Sequence, residues 1–151
     1  MLIKKGNTFD VLKNVYLFRS EPISIVHFLT NRCNARCSFC FIDFANPQTF
    51  KNELELNEID QLTKSFGNSL LNVNFTGGEP FARKDFKEIA KLYVKNTNIQ
   101  SIYITTNGSL PERIIEFAES INKFDNNVEL TFQISIDDFP EKHNKVRKIK
   151  N

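Results

Sequence analysis

The sequence predicts an α/β fold in which parallel strands form a partial (β/α) barrel, with about four strands in this chain. Three observations lead there. From Pro22 onward, short apolar runs alternate with stretches of helical periodicity, the pattern of strand–helix–strand units with right-handed crossovers. Two of the strands interleave polar with apolar residues, leaving one face polar, whereas a doubly wound sheet buried on both faces should be apolar on both. Polar or glycine-rich motifs then fall at the same end of successive strands, where parallel α/β folds gather their binding groups.

The first strand is expected over residues 23–29 and runs directly into a loop holding every cysteine of the chain. A first helix follows, with Asn57 as its expected N-cap and Ile59, Leu62 and Phe66 on its inner face. Residues 70–75 read as the second strand. The second helix starts near Lys84 or Asp85, and Phe86, Ile89, Ala90 and Tyr93 make its buried stripe. Residues 101–105 form the third strand. Pro111 suits the first turn of a third helix, with Ile114, Phe117, Ala118 and Ile121 inward. The fourth strand, 128–136, alternates strictly through Val128, Leu130, Phe132, Ile134 and Ile136.

Asn72, Asn74 and Thr76 in the second strand and Thr131, Gln133 and Ser135 in the fourth supply the polar face. Such a face suits a barrel interior that holds a ligand. Only residues 137–151 follow the fourth strand, too short and too charged to supply a full covering helix. The sequence therefore predicts an unpaired outer edge on that strand, completed by the rest of a longer protein or by a second chain.

At 151 residues the chain fits one domain with a hydrophobic core. A formal net charge of +2 gives no broad attraction for nucleic acid or membranes, and neither partner is expected. The basic cluster Lys142, Lys145, Arg147, Lys148 and Lys150 reads as a solvated surface, with phosphate binding as the minority reading. Near the N-terminus, Asp10, Lys13 and Arg19 interrupt Phe9, Val11, Leu12, Val15 and Leu17, so neither a signal peptide nor a membrane span is expected. Clustered cysteines without such a signal argue against a secreted disulfide framework and for the reducing cytoplasm.

Four motifs carry chemistry. Cys33, Cys37 and Cys40 form a C-x-x-x-C-x-x-C loop, whose ligands share no single helical or strand face, so the segment must wrap around its metal; three core cysteines are the bland alternative, which such tight spacing disfavours. Thiolates suit iron–sulfur clusters, zinc or copper. Three thiols leave one position open, as in centres that bind a substrate or cofactor. Zinc would need a fourth ligand from His27 or His143, and His27 lies inside a strand where a core role fits better. Thr76-Gly77-Gly78-Glu79-Pro80 ends the second strand: its glycines let backbone approach a ligand, Glu79 offers an acceptor for an ammonium group, and Pro80 stops the strand. Thr105-Thr106-Asn107-Gly108 and Ser135-Ile136-Asp137 end the third and fourth strands. Each of these is ordinary alone, but together they occupy one rim.

With those residues in view, the sequence resembles the radical S-adenosylmethionine (SAM) enzyme superfamily, from about Pro22 to the C-terminus. The resemblance implies the first four strands of a TIM-like partial barrel that usually has six, with residues 1–21 as an N-terminal accessory segment and 22–151 as a truncated core domain. It implies that Cys33, Cys37 and Cys40 each ligate one iron of a [4Fe–4S] cluster whose fourth iron takes the amino and carboxylate groups of SAM. Phe39 matches the position whose backbone meets the adenine. Gly77, Gly78 and Glu79, followed by Pro80, match the segment that holds the methionine amino group. Asn107, Ser135 and Asp137 match positions that contact ribose or carboxylate, and Arg147 matches a basic residue that pairs with the carboxylate in some members.

The implied activity is reductive cleavage of SAM to a 5′-deoxyadenosyl radical that abstracts hydrogen from a substrate, with an electron donor such as a flavodoxin or ferredoxin. No residue is assigned to catalysis beyond cofactor binding. Asn72, Asn74, Tyr103, Thr131 and Gln133 are expected to shape the substrate cavity. The stretch from Ser135 to Arg147 resembles members that modify peptides or proteins. Two other classes fit the cysteine loop alone, an iron–sulfur electron-transfer or binding module and a structural zinc protein; neither requires Gly-Gly-Glu-Pro at the rim.

Overall fold

The computed structural model describes residues 8–18 and 21–149. Its elements are α1 (Thr8–Lys13) continuing into a π-helical turn, β1 (Ser24–Thr30), α2 (Leu56–Ser65), β2 (Asn72–Gly77), α3 (Phe86–Asn96), β3 (Ser101–Thr106), α4 (Pro111–Phe124), β4 (Glu129–Ile134) and α5 (Pro140–Arg147). Much of the 1–21 accessory segment, including Arg19, and Lys150 of the basic cluster lie outside the described residues. Asn14 fastens the preceding turn to the domain, donating to the Glu21 carbonyl and accepting from the Glu21 N–H.

All four strands are parallel, in the order β1-β2-β3-β4. Val73, Phe75, Ile102 and Ile104 are fully buried, and Ile59 of α2, Tyr93 of α3 and Ile121 of α4 join them in one cluster. The crossover helices thus cover the same side of the sheet, which makes it a wall of a barrel rather than the middle layer of a doubly wound fold. Aromatic rings fill that side. Phe75 meets Phe86 and Tyr93 edge to face at 5.1 and 5.2 Å, and Phe86 stacks on Phe117 at 4.5 Å, geometries worth about 0.5–1.5 kcal/mol each beyond area burial. His27 belongs here too. Its Nδ1 lies 2.9 Å from the Tyr93 hydroxyl, and burial, with the Arg83 charge adding to it, pushes the imidazole down to about 4.

The opposite face follows the strand register. Val26, Asn74, Tyr103 and Thr131 form one row, and Phe28 stands beside Thr76 in the next. Asn74, Tyr103 and Thr131 share the face expected of them. The wholly polar face does not extend to β1, where Val26 and Phe28 are each 59% exposed. Alternation in β1 puts apolar residues on both faces, and Phe28 meets Phe41 of the cysteine loop edge to face at 6.3 Å.

Some boundaries differ from expectation. Asn57 is not the N-cap of α2; Glu55 holds that position, and its N–H donates to the Glu58 carboxylate at 2.7 Å. The ladder of β4 stops at Ile134, leaving Ile136 beyond it 74% exposed. Pro80 does not stop β2, which ends at Gly77; it opens a short 3₁₀ turn, Pro80–Ala82. Residues after β4 do form a helix, α5, yet it has no buried residue. Among the described residues the outer edge of β4 has no partner strand.

Candidate functional site

The cysteine loop leaves β1 at Thr30 and is shaped first by its own backbone. The Ala35 N–H donates to the Cys33 Sγ at 3.3 Å, and the Cys40 N–H to the Cys37 carbonyl at 3.2 Å. Arg36 folds back to give Nη1 to the carbonyls of Cys33 and Ala35 at 2.6 and 2.7 Å, its guanidinium 4.1 Å from the Phe44 ring centre. The three thiols are unpaired, and burial pushes that of Cys33 up.

Two neighbours hold this loop. On one side the N–H groups of Gly78 and Glu79 donate to the carbonyls of Thr30 and Arg32 at 2.6 and 2.8 Å. Both glycines are required by that approach. A Cβ on Gly77 would lie 2.3 Å from the Thr30 oxygen and one on Gly78 2.2 Å from the Arg32 oxygen, and Gly77 has φ +126°. On the other side the N–H groups of Arg36 and Ser38 donate to the carbonyls of Arg147 and Val146 at 2.9 and 3.2 Å, so the cysteine loop caps the C-terminal end of α5. Arg147 also makes a two-point ion pair with Asp137 at 2.6 and 2.9 Å and lies 5.7 Å from the Phe39 ring centre.

A cavity of about 260 Å³ opens between these segments, lined by Cys33, Cys37, Phe39, Cys40, Gly77, Gly78, Asn107, Ser135 and Arg147 together with Thr76, Thr105 and Thr106. The strand ends read from the sequence as one rim therefore do converge. Asn107 stands against Cys33, its Nδ2 3.9 Å from the Sγ and 2.9 Å from Asn34 Oδ1. The Ser109 N–H and hydroxyl donate to Asn107 Oδ1 at 2.9 and 2.6 Å.

Three expected site residues stand off the lining. Pro80 is buried in its turn. Asp137 is occupied by Arg147, which holds its carboxyl below the usual carboxylate range. Glu79 is fully buried: its Oε1 accepts from the Phe81 N–H and the Thr106 hydroxyl at 3.1 and 2.8 Å, and its Oε2 from the Asn107 N–H at 2.8 Å. The acceptor read from the sequence as open to an ammonium group is already taken up by the chain's own donors. Burial nonetheless pushes this carboxyl above its ordinary value.

Sequence reasoning missed Phe41, Ile42 and Phe44, which line the cavity after the last cysteine. An apolar run inside an irregular loop, with no strand or helix to bury it, was the available signal. Also missed was Arg83, which joins the Leu29 and Leu54 carbonyls at 2.7 and 2.6 Å and so ties the end of β1 to the segment before α2.

The donor set fits an iron–sulfur cluster. Among the described residues no three His, Cys, Asp or Glu side chains converge as ligands of a single ion. Three soft thiolates, with no fourth cysteine in the chain, suit a cluster that keeps one iron open. His27, bonded to Tyr93, and His143, whose Nδ1 accepts from the Asp137 N–H at 3.3 Å, each have a local partner.

Comparison with known proteins places this arrangement. The sequence profile of the Radical SAM superfamily matches residues 28–151. GTP 3′,8-cyclase of Actinobacillus pleuropneumoniae serotype 3 (strain JL03) is 32% identical over 128 residues, 83% of this chain and 38% of that protein. The Pasteurella multocida (strain Pm70) protein of the same name is 43% identical over 82 residues, 53% of this chain and 24% of its own length. The chain thus spans well under half of the curated relatives it matches. A crystal structure of Streptococcus suis SuiB bound to S-adenosylmethionine superposes with a TM-score of 0.65 at 21% identity, over 87% of this chain and 29% of that one, a likeness of fold. Radical SAM enzymes use a [4Fe–4S] cluster and SAM. With the profile covering most of its length, the chain belongs to the radical SAM superfamily.

Proposed function

We propose that this chain is the cluster- and SAM-binding part of a radical SAM enzyme, with Cys33, Cys37 and Cys40 each ligating one iron of a [4Fe–4S] cluster. One observation carries the reading: the three cysteines, Gly77, Gly78, Asn107, Ser135 and Arg147 line a single cavity. When bound, the cluster and SAM would supply reductive carbon–sulfur cleavage and a 5′-deoxyadenosyl radical for hydrogen abstraction. The chain's residues bind and orient. Gly77 and Gly78 bring peptide groups to the cavity wall for the methionine end, with Glu79 and Pro80 behind them. Phe39 takes the adenine. Asn107 and Ser135 face the ribose or carboxylate, and Arg147, paired with Asp137, sets the charge at the remaining wall. A flavodoxin or ferredoxin delivers the electron, and strands from another segment or a second chain pair with the β4 edge.

For the substrate we favour a peptide or protein. The inner face presents Val26 and Phe28 beside Asn74, Tyr103, Thr131 and Gln133. Among the described residues these side chains are apolar or uncharged, which suits the mixed surface of a peptide. Among the described residues no helix is long and apolar enough to cross a membrane, and the cytoplasm remains the proposed compartment.

The test is anaerobic reconstitution with iron and sulfide, reduction, addition of SAM and assay for 5′-deoxyadenosine. Cluster formation and cleavage are expected, and Cys37→Ala should abolish the cluster. A cluster without cleavage would favour an electron carrier, and tight zinc uptake with no cluster would sink the reading. Saturable GTP binding by the reconstituted chain would overturn the peptide assignment.

A further inference from the structure

We propose that Glu79 is a positioning residue, clamping the cysteine loop and the end of β3 to the Gly77–Gly78 wall from behind, without itself touching what the cavity holds. This rests on the reading that the cavity takes SAM. A carboxylate that received an ammonium group would need an oxygen open to the cavity. Glu79 is 0% exposed and forms no part of the lining, although Gly77 and Gly78 immediately before it do. Burying a carboxylate is costly unless hydrogen bonds replace its water, and three donors do so here.

Those donors come from places that matter to the site. The Phe81 N–H belongs to the turn after β2, while the Thr106 hydroxyl and Asn107 N–H belong to the end of β3. The Glu79 N–H donates to the Arg32 carbonyl at 2.8 Å, one residue before Cys33. Asn107, held by its backbone to Glu79, places its side chain against Asn34 and the Cys33 sulfur. One buried residue therefore fixes the approach to Cys33 along two independent routes. A direct ligand of the ammonium group would have no need of either.

The two roles separate in experiment. In Glu79→Gln the side chain stays the same size, but an NH₂ group replaces one acceptor oxygen and faces one of the donors. Amide hydrogen exchange of the unloaded chain should rise about tenfold or more in residues 106–109, where the side chain holds the Asn107 N–H, and by less in 32–36, which it reaches through Asn107 while the backbone bond from the Glu79 N–H stays in place. The α3 and α4 core should be unchanged, because the clamp acts locally. After reconstitution, Glu79→Gln should bind SAM and its analogue lacking the α-amino group more weakly by the same factor, about tenfold. The reduced cluster should also show an altered electron paramagnetic resonance signal before SAM is added. Glu79→Asp keeps the charge but is one methylene too short to span the donors; it should show the same pattern and stands in should the glutamine variant not fold.

A binding loss for SAM that vanishes for the deaminated analogue would overturn the proposal in favour of direct contact. Unchanged exchange in both segments would overturn it as well. If the wild-type chain binds neither ligand, the SAM reading fails, and the exchange comparison alone decides the clamp.

Discussion

The two halves of the sheet are built differently, and the cysteine loop is fastened to both. In the β2–β3 half, Val73, Phe75, Ile102 and Ile104 are fully buried, and the strand ends are locked by Glu79. In the β4–α5 half, Ile134 is 55% exposed, no residue of α5 is fully buried, and the link to the loop is two backbone hydrogen bonds beside the Asp137–Arg147 pair. The loop is thus anchored in the rigid half and buttressed by the loose one. Sequence distance does not separate the two supports. Burial does, because a hydrogen bond that replaces water around a fully buried carboxylate counts for more than an ion pair that water still reaches.

If the rigid half is the anchor, the largest effect lies at its tightest contact. Gly78→Ala puts a methyl group 2.2 Å from the Arg32 carbonyl oxygen, a backbone atom with no rotamer to yield. Overpacking against backbone should cost about 3 kcal/mol or more, read as a shift in the denaturant midpoint, with a parallel loss of iron uptake. A Gly78→Ala chain of wild-type stability and iron content would break the comparison at its root.

Acid should act next, on the core behind that half, where His27 of β1 meets Tyr93 and Phe75. The His27 imidazole is lowered to about 4 in the folded chain, against an ordinary value of about 6.5. The unfolded chain then binds the extra proton between those values, so His27 contributes stability above the upper value that is lost as pH falls through the interval. The full span is worth up to about 3 kcal/mol. Denaturation at stepped pH should show stability falling from about pH 7 toward pH 4, and His27→Leu should flatten that limb. A limb unchanged in the variant would assign the acid loss elsewhere.

A third, smaller effect separates the clamp from the packing beneath it. Thr106→Val conserves shape but removes the hydroxyl that donates to Glu79 Oε1 at 2.8 Å. Removing one donor from a buried carboxylate should cost about 1–3 kcal/mol, with exchange rising first around residues 106–109.

Much of the rigid half was legible in the sequence, because its signals are local. The stripe Phe86, Ile89, Ala90, Tyr93 has helical spacing, and Val73 and Phe75 alternate with Asn72 and Asn74, so burial followed from period. The cysteines, Gly77–Gly78 and Asn107 announced a rim by residue type, and all of them line the cavity. The orientation of Glu79 was not legible, since nothing in Gly-Gly-Glu-Pro tells whether the carboxylate faces the ligand or turns back to Thr106 and Asn107, some 27 and 28 residues away in sequence. The glycines, too, were assigned to ligand approach, whereas they first admit the backbone of Thr30 and Arg32. The grip of α5 was hidden for the same reason. Backbone bonds from Arg36 and Ser38 to residues 147 and 146 leave no trace in side-chain identity.

The smallest effect tests the loose half. Arg147→Gln removes the two-point pair with Asp137 and the approach to Phe39, but leaves the backbone bonds from Arg36 and Ser38 to α5 in place. The pair is only partly covered, its side chains 12% and 30% exposed, and stays open to screening, so global stability should move less than in Thr106→Val, and raising salt should bring the wild type toward the variant. The consequence belongs to the site instead, because Arg147 lines the cavity. The variant should form its cluster normally and bind SAM more weakly, with the loss shrinking as ionic strength rises. A drop in stability as large as that of Thr106→Val would mean that α5 anchors the cysteine loop as firmly as β2 does, and the two halves would then differ in exposure but not in the load they carry.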